Sequence, residues 1–386
     1  MNTQNFQLLK KTERKEATAT SKTSGGYRIP ELDGLRGIAI LLVVSFHYIN
    51  NQIAGSTNKM ASILAKATGF GWLGVDLFFI LSGFLIGGIL ISNKQSKKYF
   101  GTFYIRRLVR IVPNYFLLLA CYGIIWYFGI AAGNHFLTGN NDIPYWSYFL
   151  MLHNFFMAGV PSMGNDSLSI TWSIGVEEQF YLVFPLLVYF IRDKWLPALL
   201  VCLIVSASIV RAQFDHWIPR YVLLPARFDG LAMGFLVAWL HKHGYLMKYR
   251  KKLRNLLPWL MVVVILTCGY FYWKYDDLGV VKHTLFAIIF SSGLILALIA
   301  ANSWYGAVLR NSILMWIGTI SYSLYLFHEL ILGLTHHFIT HNENHIDSLA
   351  DVGITFLAFF LSLLCAWGVF KWLEQPMVLL GKRFKY

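Results

Sequence analysis

Residues 32–48 read Leu-Asp-Gly-Leu-Arg-Gly-Ile-Ala-Ile-Leu-Leu-Val-Val-Ser-Phe-His-Tyr, an aliphatic run with an arginine near one end and a histidine at the other. Wound as an α-helix at ~1.5 Å per residue, the chain rises about 16 Å between Arg36 and His47. The run has no polar stripe that water could wet, so it reads as the start of a lipid span. Arg36 then snorkels to one surface, and His47 lies past the middle of the bilayer.

The rest of the chain repeats this pattern. Of 386 residues, 56% are hydrophobic and 13% are charged, and the mean hydropathy is +0.53. Globular chains carry roughly 25% charged residues, so the supply here cannot cover a water-facing surface. That excludes a soluble enzyme, a disordered scaffold and a disulfide-rich secreted module. Cys121, Cys202, Cys268 and Cys365 sit inside apolar runs and read as buried thiols without a CxxC metal motif. Residues 1–29 are polar, without the apolar core of a signal peptide, and are expected to form a disordered cytoplasmic tail.

Apolar runs near the roughly 20 residues of a membrane-crossing helix fall at about 37–53, 71–92, 108–130, 171–190, 195–210, 221–240, 255–273, 282–301, 312–335 and 353–373. The run at 145–157 is too short to cross and reads as re-entrant or interfacial. With that choice the basic residues collect on one side: the N-terminal tail, Lys94 to Arg110, Arg192 and Lys194, Lys242 to Arg254, Arg310, and Lys371 to Lys385. The fold expected is an all-α polytopic membrane protein of about ten helices with both termini cytoplasmic. The net charge of +14 is then mostly an orientation signal, and a nucleic-acid partner is not expected. Residues 30–376 form the membrane domain and 377–386 a basic cytoplasmic tail.

Polar groups inside a membrane are costly and mark candidate sites. His47 is one, although spacing alone fits a packed, hydrogen-bonded histidine equally well. Asp76 opens the next span from the outer side, where it can approach His47 and orient its ring or complement the helix dipole. Arg107 and Arg110 share a helix face at the cytoplasmic mouth and suit phosphate oxygens, while ordinary positive-inside anchoring explains them as well. Glu177 and Glu178 are adjacent, so only one can face a given site, and Glu177 is favoured. Arg227, Asp229 and the pair His328-Glu329 add charge at a similar depth. Gly83 and Gly87 fit close helix packing. Base, acid and oxyanion-stabilising groups in the outer half, opposite phosphate-compatible arginines, form the layout of a group transfer across the bilayer.

The stretches LDGLRGIAILLVVSFHY (32–48), GVDLFFILSGFLIG (74–87), FYIRRLVRIVP (103–113), TWSIGVEEQFYLVFP (171–185), ISYSLYLFHEL (320–330) and, more weakly, WLEQP (372–376) resemble the acyltransferase-3 family of integral membrane O-acyltransferases, in family order. The resemblance implies about ten helices and transfer of an acyl group, commonly acetyl from acetyl-CoA, to hydroxyls of extracytoplasmic or lipid-linked glycans. His47 matches the family's essential histidine and Arg36 its paired arginine. Arg107 and Arg110 match its arginine pair, Glu177 its WSxxVE glutamate, and Ser82-Gly83-Phe84 its SGF turn. Many relatives add an SGNH-type domain. None is expected here, since the sequence stops at Tyr386, and Gly164-Asn165-Asp166-Ser167 is taken as coincidence.

The expected site is therefore catalytic His47, Glu177 and Asp76, donor-binding Arg36, Arg107 and Arg110, and acceptor or cavity residues Trp172, Ser173, Arg227, Asp229 and His328, with Ser82, Gly83 and Gly87 packing helices. Acyl-CoA is the co-substrate, a glycan or lipid-linked sugar the acceptor, and the bacterial cytoplasmic membrane the location. No bound cofactor or metal is expected. The spacing His337-x3-His341-x3-His345 invites a metal reading, which is rejected because the polar loop offers no second shell. The rival function is a secondary transporter relaying protons through the same charges, against which the lack of visible internal repeats argues.

Overall fold

Apolar runs with no water-facing stripe satisfy their backbone groups internally, and each one winds into a helix in the computed structural model. It describes residues 22–23, 26–27, 29–53, 59–131, 142–275, 278–340, 346 and 348–386. Helix α1 (Pro30–Ser45) has proline in its first turn and Glu31 and Asp33 against its positive dipole end, and continues as a π-turn, Phe46–Asn50, that carries His47. Helices α2 (Leu73–Asn93) and α3 (Tyr99–Ala131) follow. Further along lie α4 (Tyr145–Phe149), α5 (His153–Gly159), α6 (Trp172–Phe190) and α7 (Leu196–Arg211). Next come α8 (Phe228–Lys242), α9 (Arg250–Tyr275) and α10 (Lys282–Ile299). The last are α11 (Ser312–Thr319), α12 (Ser321–Thr340) and α13 (Leu349–Val369), the last extended by a second π-turn, Phe370–Glu374.

Among the described residues seven helices are long and apolar enough to cross a membrane, or eight if α11 and α12, bent by 73°, count as one span. The other two spans expected from sequence are occupied by α6, 19 residues long with Glu177, Glu178 and Gln179 inside it, and α8, 15 residues long. At ~1.5 Å per residue α8 reaches about 22 Å, short of a hydrocarbon core of about 30 Å. Helix α8 lies largely inside the protein, and α6 buries its first half, Trp172 to Tyr181, more fully than its second.

The centre of the bundle is α2 packed on α8, with α1 against α2 and α11. At Gly83 a Cβ would lie 2.0 Å from the carbonyl oxygen of Leu231, and at Gly234 the same distance from that of Ile80, so backbone meets backbone along this pair. Gly87 is covered by the Phe235 ring. Helix α9 is peripheral, burying only Leu257, Val264 and Cys268. The four cysteines are free. Cys268 is buried as expected of a small hydrophobe, but Cys202 is exposed on α7, where an apolar thiol faces outward at no polar cost.

The run at 145–157 does not cross: α4 and α5 are separated by a turn in which Met151 has φ 55°. Side-chain hydrogen bonds tie this broken segment to its neighbours. Tyr115 donates to the Tyr148 carbonyl at 2.8 Å, and Asn154 donates to that of Val222 at 3.0 Å and accepts from Gln179 at 2.8 Å. At the other end of the chain, Lys382 to Tyr386 folds back on α3, where Thr102 donates to the Lys385 carbonyl at 3.1 Å and Arg106 to that of Phe384 at 2.8 Å.

Candidate active site

His47 lies in the π-turn of α1, a backbone form that recurs at functional sites. Its Nδ1 meets the Glu329 carboxylate on α12. Beside them, the His328 ring centroid stands 5.1 Å from that of His47. His328 is fully buried and donates through Nδ1 to the Tyr325 carbonyl at 2.7 Å, which leaves Nε2 as the lone-pair nitrogen. Tyr48, next to His47, donates to the His328 carbonyl at 2.8 Å and shares a 2.7 Å hydrogen bond with Ser362 on α13. The contact is an ion-pair approach and not an aligned hydrogen bond; an imidazole whose Nδ1–H turned to that carboxylate would have its second nitrogen free to accept a proton, as a general base needs.

Asp76 is elsewhere. Its carboxylate pairs with Arg227 and lies 3.4 Å from His283 Nδ1. The depth of α2 explains this. Gly71 packs on Leu42 and Phe46, and Gly74 on Ala39 and Val43, so residue 76 sits below the level of His47 and turns toward α8 and α10. The Arg227 guanidinium is buried among the rings of Phe79, Trp172 and Tyr221, 5.3 to 5.9 Å from their centroids. Asp229 pairs with Arg211 at 2.8 Å and accepts from Thr284 at 2.7 Å. Arg211 also donates to the carbonyls of Val280 and Ala226. Five charged or titratable groups here pair with one another, as in a structural ion network, although Nε and Nη1 of Arg227 have no hydrogen-bond partner among the described residues.

The expected donor residues converge on a different feature. A cavity of about 120 Å³ is lined by Arg36, Arg107 and Arg110 at one end, by Ser82, Glu177 and Tyr181 along its wall, and by Ser173 and Tyr325 at the other. Arg36 is held by Asp33 at 3.2 Å. Tyr181 donates to Glu177 at 2.7 Å and shares a 2.5 Å hydrogen bond with Ser82. Glu177 thus faces the arginines and not the His47–Glu329 pair. Ser173 and Tyr325 are joined at 2.7 Å, and the Tyr325 ring centroid lies 6.0 Å from that of His328. The far wall of the cavity is therefore one side chain from the histidines. Arg227 and Asp229 do not line it.

Sequence reasoning named Glu329 only as a neighbour of His328 and did not assign it a role. It also passed over Tyr181, Tyr322, Tyr325 and Glu374. Glu374 is buried in the second π-turn, accepting from Ser323 at 2.6 Å and Asn114 at 3.2 Å. The WLEQP stretch was the available signal for it. His337 is described as part of α12, whereas His341 and His345 lie outside the described residues.

The acyltransferase domain family matches residues 29–371. The chain is 26% identical to the peptidoglycan O-acetyltransferase OatA of Listeria monocytogenes, over 93% of this chain and 57% of that one. It is 27% identical to YrhL of Bacillus subtilis, provisionally named a peptidoglycan O-acetyltransferase, over 81% and 50%. A Staphylococcus aureus protein provisionally named O-acetyltransferase SACOL0978 is 25% identical over 90% and 57%. The chain thus spans about half the length of these curated relatives. No solved structure matches it. With a family match running from the start of α1 into the second π-turn, and the charged groups gathered on the helices that carry the family's stretches, this all-α membrane protein belongs to the acyltransferase-3 family.

Proposed function

We propose that this chain is a membrane O-acetyltransferase that takes an acyl group from acyl-CoA at the arginine-lined mouth of the cavity and delivers it to a glycan hydroxyl at the His47 end. The observation that carries this reading is the single cavity from Arg36, Arg107 and Arg110 to Tyr325, beside the His328–His47–Glu329 cluster. Guanidinium pairs bind phosphate oxygens bidentately, and the basic end is the cytoplasmic side by loop charge. The donor's phosphates then sit at the mouth while its pantetheine arm extends along Ser82, Glu177 and Tyr181.

His47 Nε2 takes the proton of the acceptor hydroxyl, and Glu329 holds the Nδ1–H and stabilises the imidazolium that forms. The hydroxyl oxygen attacks the thioester carbonyl. Collapse of the tetrahedral adduct breaks the C–S bond, and the imidazolium proton passes to the departing thiolate. The products are an O-acyl glycan and CoA. Peptidoglycan is the first acceptor to try, because OatA of Listeria is named for it, and the location follows as a bacterial cytoplasmic membrane.

A proton-relay transporter is the competing reading. Purified protein in lipid nanodiscs, given acetyl-labelled acetyl-CoA and peptidoglycan fragments, distinguishes the two. Label on glycan hydroxyls that depends on the protein supports transfer. CoA that is never released, together with unlabelled glycan, overturns it.

A further inference from the structure

We propose that His47, His328 and Glu329 form a three-ligand site for a zinc ion, which blocks acyl transfer by occupying the imidazole of the base. The blocking role rests on the transferase reading above, whereas binding of the ion does not. One donor atom from each residue lies within 4.8 Å of the others. Ligands at about 2.0–2.2 Å from a tetrahedral zinc stand about 3.3 Å apart, so the donor atoms need close by no more than about 1.5 Å.

Two features beyond proximity point to a metal. His328 donates Nδ1–H to the Tyr325 carbonyl at 2.7 Å, the outer-shell bond that fixes a ligating histidine's tautomer and aims its other nitrogen. That other nitrogen, Nε2, has no hydrogen-bond partner among the described residues, although the side chain is fully buried. The two elements that supply ligands, the π-turn of α1 and α12, are also tied by the Tyr48 hydrogen bond to the His328 carbonyl, so the ligands are presented on a fixed frame.

Two imidazoles and one carboxylate select zinc over magnesium, which prefers oxygen ligands. The side chains of His47 and Glu329 are 17% and 10% exposed, so neither is sealed inside the protein. A neutral imidazole that gives one nitrogen to a metal keeps its proton on the other. Whichever nitrogen of His47 binds zinc, the ring then has no lone pair for a substrate hydroxyl. Zinc and catalysis exclude each other, and removing the ion restores the base.

The test is zinc content per chain after equilibrating the purified full chain in detergent with buffered Zn²⁺, measured by inductively coupled plasma mass spectrometry, with a parallel acetyl-transfer assay. About one zinc per chain is expected in the wild type, with at least about 10-fold weaker binding in His328→Ala and in Glu329→Gln and none of that loss in His337→Ala. Glu329→Gln keeps shape and serves where His328→Ala fails to fold. Zinc retained at wild-type affinity by both ligand variants, or absent from the wild type, overturns the site. Zinc bound as expected in a protein that never transfers acetyl leaves the site standing and removes the transferase reading. Transfer that proceeds unchanged with zinc bound overturns the block.

Discussion

Glu329 on α12 meets His47 in the π-turn of α1, and this contact joins an early and a late helix of the chain at the proposed point of proton abstraction. The carboxylate fixes which ring nitrogen is free. Glu329→Gln keeps the volume and an acceptor oxygen but removes the charge that stabilises the imidazolium. Activity is expected to fall at least about 100-fold, in the range of general-base losses, with normal membrane insertion. Steady-state acetyl transfer alongside a thermal-unfolding measurement checks this.

Asp76 is expected to behave differently, because it serves Arg227 and His283 rather than His47. Asp76→Ala leaves a buried guanidinium without its counter-charge, a loss of about 3–5 kcal/mol. The signature is a lowered unfolding temperature and poor yield. A well-folded Asp76→Ala protein that is catalytically dead would instead place Asp76 in the chemistry.

At the cavity mouth, Arg107→Ala and Arg110→Ala are expected to raise the KM for acyl-CoA more than they lower kcat. Lysine should rescue poorly, since it lacks the planar fork that grips phosphate. Full rescue by lysine at both positions would assign these arginines to orientation in the membrane alone. The measurement is activity against donor concentration for all four variants.

Gly83 supplies a stability prediction. Its Cβ would lie 2.0 Å from the Leu231 carbonyl oxygen, a backbone atom that cannot move aside without shifting α8. Gly83→Ala should therefore separate α2 from α8 at a cost of about 1–3 kcal/mol. Gly88→Ala, which meets nothing within 4 Å, is the matched control and should be neutral in the same unfolding assay.

Much of this arrangement was legible in the chain. Apolar length located the helices, and the spacing put Arg36 and His47 far apart on one helical segment, where they are. The sequence also made α1 and α2 neighbours, which they are. It did not show how deep each helix sits. That depth is set by glycine contacts such as Gly74 on Ala39 and Val43, and it decides that Asp76 misses His47. The residue that does reach His47 comes from α12, and no local pattern states which distant helix will close a site. Helices α6 and α8 looked like ordinary spans because their apolar residues outnumber Glu177, Glu178, Arg227 and Asp229. The polar run Glu177, Glu178 and Gln179 keeps α6 from being apolar enough, whereas α8, at 15 residues, is too short.

His47 is the proposed base of the acyl transfer. The direct measurement is the rate of acetyl transfer from acetyl-CoA to glycan hydroxyls by purified wild-type and His47→Ala protein, matched for amount and folding. The expected loss is about 10²- to 10⁴-fold with the unfolding temperature little changed. Transfer by His47→Ala within a factor of about three of wild type would contradict it.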